Sequence, residues 1–160
     1  MSVVGFKLAF LNITSLPKHI DDMRMLLADR SIDILAINET RLVDSVLDHE
    51  VHILGYDIIR QDRNRNGGGV YFYVRSSINY SICLDLSVNQ LENLCIEVQK
   101  PRYKPFAVAT WYRPPDSPME IFLHFESLLS RLDSQNVDFQ LMGDLNAIWP
   151  RLHLILTRIC

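Results

Sequence analysis

The stretch VVGFKLAFLNITSLPKHIDDMRMLLADRSIDILAINE, residues 3–39, decides the fold class. Its opening, VVGFKLAFLNI, is nearly continuous in apolar side chains. That pattern suits a strand buried on both faces and ending near Asn12. Ser15 then offers an N-cap, and Pro17 stands where an opening helical turn tolerates it. Ile20, Met23, Leu26 and Leu27 recur on one helical face, which predicts an amphipathic helix over residues 17–29. IDILAIN follows as a second buried strand and delivers Glu39 at its end. Strand, helix and strand within about thirty residues form a βαβ unit, so the class is α/β.

Working outward, the middle of the chain changes character. YDIIR and GGVYFYVR flank QDRNRNGG, where Asn66-Gly67 signals a tight hairpin. The triple glycine 67–69 is followed by VYFYVR rather than by a helix, which favours that hairpin over a phosphate-binding loop. YSICLDL and NLCIEVQ continue as antiparallel strands. PFAVATWY is a further strand, stopped by Pro114-Pro115, neither of which can donate to a ladder. Ser117, Pro118 and Glu120 then fit Ncap, N1 and N3 of a capping box. The helix they open would bury Ile121, Phe122, Phe125, Leu128, Leu129 and Leu132. VDFQLM is the last clear strand, with Asp144 just past its end.

Composition bounds the rest. The chain has 160 residues and 48% hydrophobic content, enough for one globular core. A net charge of -3 leaves no global basic footprint, so any nucleic-acid contact must come from a local patch. Cys83, Cys95 and Cys160 form no CxxC pair, and an odd number of thiols suits a reducing compartment. Lys7 interrupts the N-terminal apolar run, which argues against a signal peptide. No run approaches the roughly 20 apolar residues of a membrane span. An intracellular chain with no membrane contact and no obligate protein partner is expected.

Four polar residues end four separate apolar strands: Asn12, Glu39, Tyr112 and Asp144, with Asn146 two residues beyond. Ligands of packed α/β sheets sit at such strand ends. A carboxylate at a half-buried rim needs a cation or donors, and two drawn together repel unless a divalent ion resolves them. Mg²⁺ suits carboxylates with water and phosphate oxygens, whereas no His/Cys cluster offers the ligands zinc prefers. Each residue also has a plainer explanation. Asn12 could start a turn, Glu39 could cap the next segment, Tyr112 could be a core aromatic, and GDLN is ordinary turn composition. Arg60, Arg63, Arg65 and Arg75 cluster around the hairpin, with Lys100, Arg102 and Lys104 at another turn. These charges suit either a guarded sheet edge or contact with a DNA backbone.

Five segments in order, LNITSL (11–16), INETRL (37–42), DRNRNGGGVYFYVR (62–75), WYRPP (111–115) and MGDLNA (142–147), resemble the endonuclease/exonuclease/phosphatase superfamily. The wording is most similar to the apurinic-type endonuclease domains of non-LTR retrotransposons. The resemblance implies a four-layered α/β/β/α sandwich that cleaves DNA phosphodiesters with Mg²⁺ (Mn²⁺ as a substitute), in the nucleus. By motif position Glu39 would bind the metal and Asn12 would help organise it. Tyr112 would contact the scissile phosphate, and Asp144 with Asn146 would position and activate the attacking water. Arg63, Arg65 and Arg113 would meet the nucleic acid. A phosphatase of lipid or inositol substrates is the less favoured activity.

The family pattern continues past GDLN to a late Ser-Asp-His motif, which has no counterpart here. Residues 1–147 are therefore expected to be the N-terminal part of such a domain, and 148–160, IWPRLHLILTRIC after Ala147, a divergent tail. Two readings stay open: a truncated endonuclease with little or no activity, or a non-catalytic remnant that binds metal or nucleic acid. His153 has no neighbouring aspartate in sequence and is expected to pack with the tail rather than to act in catalysis.

Overall fold

A computed structural model describes residues 6–29, 31–83, 91–146 and the backbone of 153–158. Strand β1 (Leu8–Asn12), helix α1 (Ile20–Leu27) and strand β2 (Ile34–Asn38) form the expected βαβ unit. β1 and β2 pair in parallel with Asn12 opposite Asn38. A short helix α2 (Asp48–Val51) follows, then the antiparallel strands β3 (Tyr56–Gln61) and β4 (Val70–Arg75). These four strands make one sheet in the order β1-β2-β4-β3.

The second sheet repeats the plan. β5 (Asn79–Ile82), β6 (Glu92–Gln99) and β7 (Phe106–Tyr112) run as antiparallel neighbours. Helix α3 (Ile121–Ser134) then returns the chain to β8 (Asp138–Asp144), which lies parallel to β7 with Tyr112 opposite Asp144. Strand β9 (His153–Arg158) pairs antiparallel with β8 at the edge, setting the His153 backbone opposite Asp144. The order is β5-β6-β7-β8-β9.

Three apolar clusters hold four layers together. Met23 and Leu27 of α1 pack on Leu35, Ile37, Tyr71 and Tyr73 of the first sheet. Phe125, Leu128 and Leu132 of α3 pack on Ala109, Trp111 and Leu141 of the second, where Trp111 stacks on Phe125 at 3.9 Å. Between the sheets lie Ile34, Ala36, Phe72 and Val74 against Ile96, Val98, Val108 and Met142. Burying each Val, Leu, Ile, Met or Phe side chain among them stabilises by ~1.5–3 kcal/mol. The alternation of strands explains the pattern: successive residues of β2 and β4 face a helix and then the other sheet, so every position but the last of each strand, Asn38 and Arg75, has an apolar or aromatic side chain. The fold is the α/β/β/α sandwich.

Some local expectations differ. α1 starts at Ile20, because Leu16 to His19 closes a separate turn in which the His19 amide donates to the Leu16 carbonyl. Ser15 therefore caps no helix. α3 likewise begins after Glu120, while Pro118 and Met119 form a preceding turn with i→i+3 bonds to Ile121 and Phe122. The β3–β4 connection is a longer loop over residues 62–69, closed at its tip by an Asn64–Gly67 bridge. Part of YSICLDL falls on residues 84–90, outside the described set.

Candidate active site

Both parallel strand pairs, β1–β2 and β7–β8, aim their C-terminal ends at the same end of the sandwich. This brings Asn12, Glu39, Tyr112, Asp144 and Asn146 to one cleft. Asn12 Nδ2 donates to Glu39 Oε1 at 2.9 Å and to Asp144 Oδ2 at 2.7 Å. A carboxylate oxygen cannot accept from Oδ1, so its two partners set the amide's orientation. Asn12 Oδ1 is then buried with no hydrogen-bond partner among the described residues.

Tyr112 is 3% exposed, and its hydroxyl hydrogen-bonds Glu39. Burial, followed by the charges of Glu39, Glu92 and Asp144, pushes its ionisation well above the ordinary tyrosine range. The phenol stays protonated and is a hydrogen-bond donor at neutral pH. Asp144 accepts from the Asn146 amide nitrogen at 3.0 Å through Oδ1, while Asn146 Nδ2 donates to the Arg113 carbonyl at 2.8 Å. Asn146 thus orients Asp144 and ties the β8 end to the β7 end.

The cleft is bolted from below. Asn38, fully buried in β2, donates to the Trp111 carbonyl at 2.8 Å and accepts from the Thr110 hydroxyl at 3.0 Å. This is a polar clasp between the two sheets directly beneath the site. Gly143 allows β8 to reach it, because a Cβ there would stand 2.1 Å from the Trp111 carbonyl oxygen. Around the rim, Thr14, Glu39, Arg41 and Asn146 all hold φ between 39° and 57°. Such left-handed conformations cost ~1–3 kcal/mol each at non-glycine residues and gather where the surroundings enforce them. Here the enforcing bonds run from Leu16 N to the Thr40 carbonyl at 2.8 Å and from Arg41 N to the Gly68 carbonyl at 3.0 Å.

Two concavities meet at Glu39. One, of about 430 Å³, is lined by Asn12, Thr14, Glu39, Asp144 and Asn146 with Phe10 and Leu11. The other, of about 490 Å³, lies between the 62–69 loop and Pro114–Ser117, with Arg41, Arg63 and Tyr112 in its wall. Among the described residues no three His, Cys, Asp or Glu side chains come together. The donor set is instead two carboxylates and an unpartnered amide oxygen, all hard oxygen atoms. It fits Mg²⁺, which takes few protein ligands and keeps its waters.

The predicted arginines separate. Arg65 is exposed on the loop tip, and Arg63 is exposed as well while donating to Glu92 at 3.0 Å. Arg113 is 7% exposed and donates to the carbonyls of Leu145, Asn146 and Ser117, with its plane over Phe122. With these bonds it braces the GDLN turn. Arg60 is bound by Asp48 and Asp62, and Arg75 by Asp33. Sequence reasoning passed over Asn38, Arg41 and Glu92. Arg41 stands 3.9 Å from Glu39 Oε2 and could have been flagged by its place two residues after Glu39. Glu92 gave no local signal.

The sequence model of the Endonuclease/Exonuclease/phosphatase family matches residues 8–157, and the chain belongs to that family. Its members are hydrolases, nucleases and phosphatases among them. The match runs through β9. The fold is similar to the endonuclease domain of TRAS1, a telomere-specific non-LTR retrotransposon, with TM-score 0.67 and 14% identity over 91% of this chain and 61% of that one. An AP endonuclease from Archaeoglobus fulgidus gives 0.62 and 18% over 91% and 60%. A 3′ phosphatase from Neisseria bound to a product DNA hairpin gives 0.60 and 18% over 89% and 58%. The chain therefore spans about three fifths of these solved relatives. No curated protein matches it in sequence. No described helix is long and apolar enough to cross a membrane.

Proposed function

We propose that the strand-end cleft is the metal- and water-positioning part of a site that hydrolyses DNA phosphodiesters with Mg²⁺, or with Mn²⁺ in its place. The observation that carries this is the Asn12 amide shared by Glu39 and Asp144 beside the Tyr112 hydroxyl. Glu39 and the Asn12 amide oxygen are the ligands. A bound divalent ion supplies positive charge to phosphate oxygens as charge develops on them. Tyr112, held protonated, turns its one hydroxyl proton from Glu39 to a non-bridging phosphate oxygen when substrate binds. Asp144 accepts a proton from the attacking water as its oxygen bonds to phosphorus and the bond to the leaving sugar oxygen breaks, that oxygen taking a proton from solvent; the Asn146 backbone N–H holds Asp144 in orientation for the task. Arg65 and Arg63 on the 62–69 loop offer charge to the DNA backbone, which needs only a local patch. The likeness to an endonuclease domain and to a 3′ phosphatase bound to a DNA product supports DNA as the substrate class.

Two measurements test the reading. In fluorescence anisotropy with a labelled DNA duplex, Mg²⁺ tightens binding, and Glu39→Ala removes the Mg²⁺-dependent part; equal affinity with and without Mg²⁺ contradicts it. In plasmid nicking, the 160-residue chain taken by itself is expected to show little or no cleavage, because among the described residues no histidine lines either concavity of the cleft. Loss of one such group costs ~10²–10⁴ in rate. Robust nicking abolished by both Asp144→Ala and His153→Ala would overturn that expectation and assign the imidazole role to His153, whose backbone stands opposite Asp144.

A further inference from the structure

The Glu92 side chain lies in the second sheet, outside the ligand set, yet its bonds lead back to Glu39. Its Oε2 accepts from the Gly69 backbone N–H at 2.7 Å, and its Oε1 accepts from Arg63 at 3.0 Å. The Gly69 carbonyl in turn accepts from Thr40 N at 3.4 Å, and the Gly68 carbonyl from Arg41 N at 3.0 Å. Those two amides flank the bend that Glu39 and Arg41 enter with φ of 57° and 53°. No regular ladder holds residues 39–41; the bend is kept on one side by Leu16 N, which donates to the Thr40 carbonyl at 2.8 Å, and on the other by the 62–69 loop. The loop is held down, at the point where it meets the bend, by one carboxylate from across the sheet interface.

Packing at the same place is tight. Gly69 has φ of 90°, and a Cβ there would stand 2.4 Å from the Thr40 hydroxyl oxygen. Thr40 is fully buried, so the loop and the Glu39 bend cannot shift independently. Glu92 also stands opposite Tyr112 in the β6–β7 ladder, and its charge contributes to keeping that phenol protonated.

We infer that Glu92 is a positioning residue that sets the Glu39 carboxylate through the Gly69 and Thr40–Arg41 backbone, resting on the reading of Glu39 as a metal ligand. Groups that orient a metal ligand typically change affinity ~10–100-fold when removed. Glutamine keeps an oxygen for the Gly69 N–H, whereas alanine keeps none. The role is therefore carried by the hydrogen bond more than by the charge.

The test is Mn²⁺ binding to the 160-residue chain, followed by electron paramagnetic resonance of the free ion. Wild type is compared with Glu39→Ala, Glu92→Ala, Glu92→Gln and Gly69→Ala, with circular dichroism to confirm that each folds. Expected are losses of ~10-fold or more in Glu92→Ala and Gly69→Ala, and retention within about 3-fold in Glu92→Gln. Folded Glu92→Ala with wild-type affinity, while Glu39→Ala loses it, overturns the positioning role and leaves the site reading intact. Should Glu92→Ala not fold, wild-type affinity in folded Gly69→Ala overturns the role equally. Glu92→Gln as weak as Glu92→Ala contradicts the hydrogen-bond account. Unchanged affinity in Glu39→Ala overturns both proposals, since nothing is then positioned.

Discussion

Asn12 and Asp144 are separated by 132 positions in sequence and joined by a 2.7 Å hydrogen bond across the seam of the two sheets. The same amide nitrogen serves Glu39, so one neutral side chain is the donor for two carboxylates from different sheets. In Asn12→Ala both lose that donor and face each other with nothing between. Stability should fall by ~1–3 kcal/mol in metal-free buffer, and Mg²⁺ should recover part of it by binding the native state. Urea denaturation with and without Mg²⁺ measures both. A variant as stable as wild type in chelator would show that the shared amide is not a structural link.

Gly143→Ala should be among the most damaging single changes. The added carbon meets a backbone carbonyl in the neighbouring strand at 2.1 Å, and a ladder cannot yield as a flexible side chain can. A loss of ~3 kcal/mol or more is expected, seen as a lowered melting temperature or insoluble expression. Normal stability would mean that β8 can shift against Trp111.

High pH should unfold the chain through its tyrosines. Burial raises the ionisation of Tyr56, Tyr71, Tyr73, Tyr80 and Tyr112, with Tyr73 pushed up to about 12. Unfolded tyrosines ionise near ~10. The native state therefore holds more protons above that pH, so stability is intact below it and falls as pH rises beyond it. Absorbance of tyrosinate should lag in the native protein and jump on unfolding. Titration of all six tyrosines near pH 10 in folded protein would contradict the burial of these rings.

Binding to DNA should weaken as salt rises, with Arg65→Ala lowering the slope of log affinity against log salt by about one. Arg113→Ala should act differently. It frees three carbonyls at the GDLN turn and should cost stability while leaving the salt slope unchanged. Salt-independent binding would reject the loop as the contact surface.

Much of this was legible in the residues, and the reasons are local. Two-sided burial makes β2 and β7 read as unbroken apolar runs, while β1 reads the same although it is a half-buried edge strand; the strand ends are where Asn12, Tyr112 and, with β8, Asp144 stand. Where partners come from another sheet, the sequence carries no trace. Nothing near Glu92 announces Gly69, and nothing near Asn38 announces the Trp111 carbonyl. The partners of Arg113 are hidden for the same reason: a surface-type residue beside prolines is drawn inward by three carbonyls. Both helix starts were placed early because Ser15 and Ser117 have good capping chemistry, while the adjacent turns take the backbone bonds first. α2, with four residues, is too short to have a periodicity.

Glu39 and the Asn12 amide oxygen hold one divalent ion beside Asp144 in the reading proposed here. Titration calorimetry of Mg²⁺ into the chain, with Glu39→Ala and Asp144→Ala alongside, tests it most directly. Weak single-site binding, lost in Glu39→Ala and reduced in Asp144→Ala, is the predicted result. Unchanged Mg²⁺ affinity in both folded variants would contradict the account.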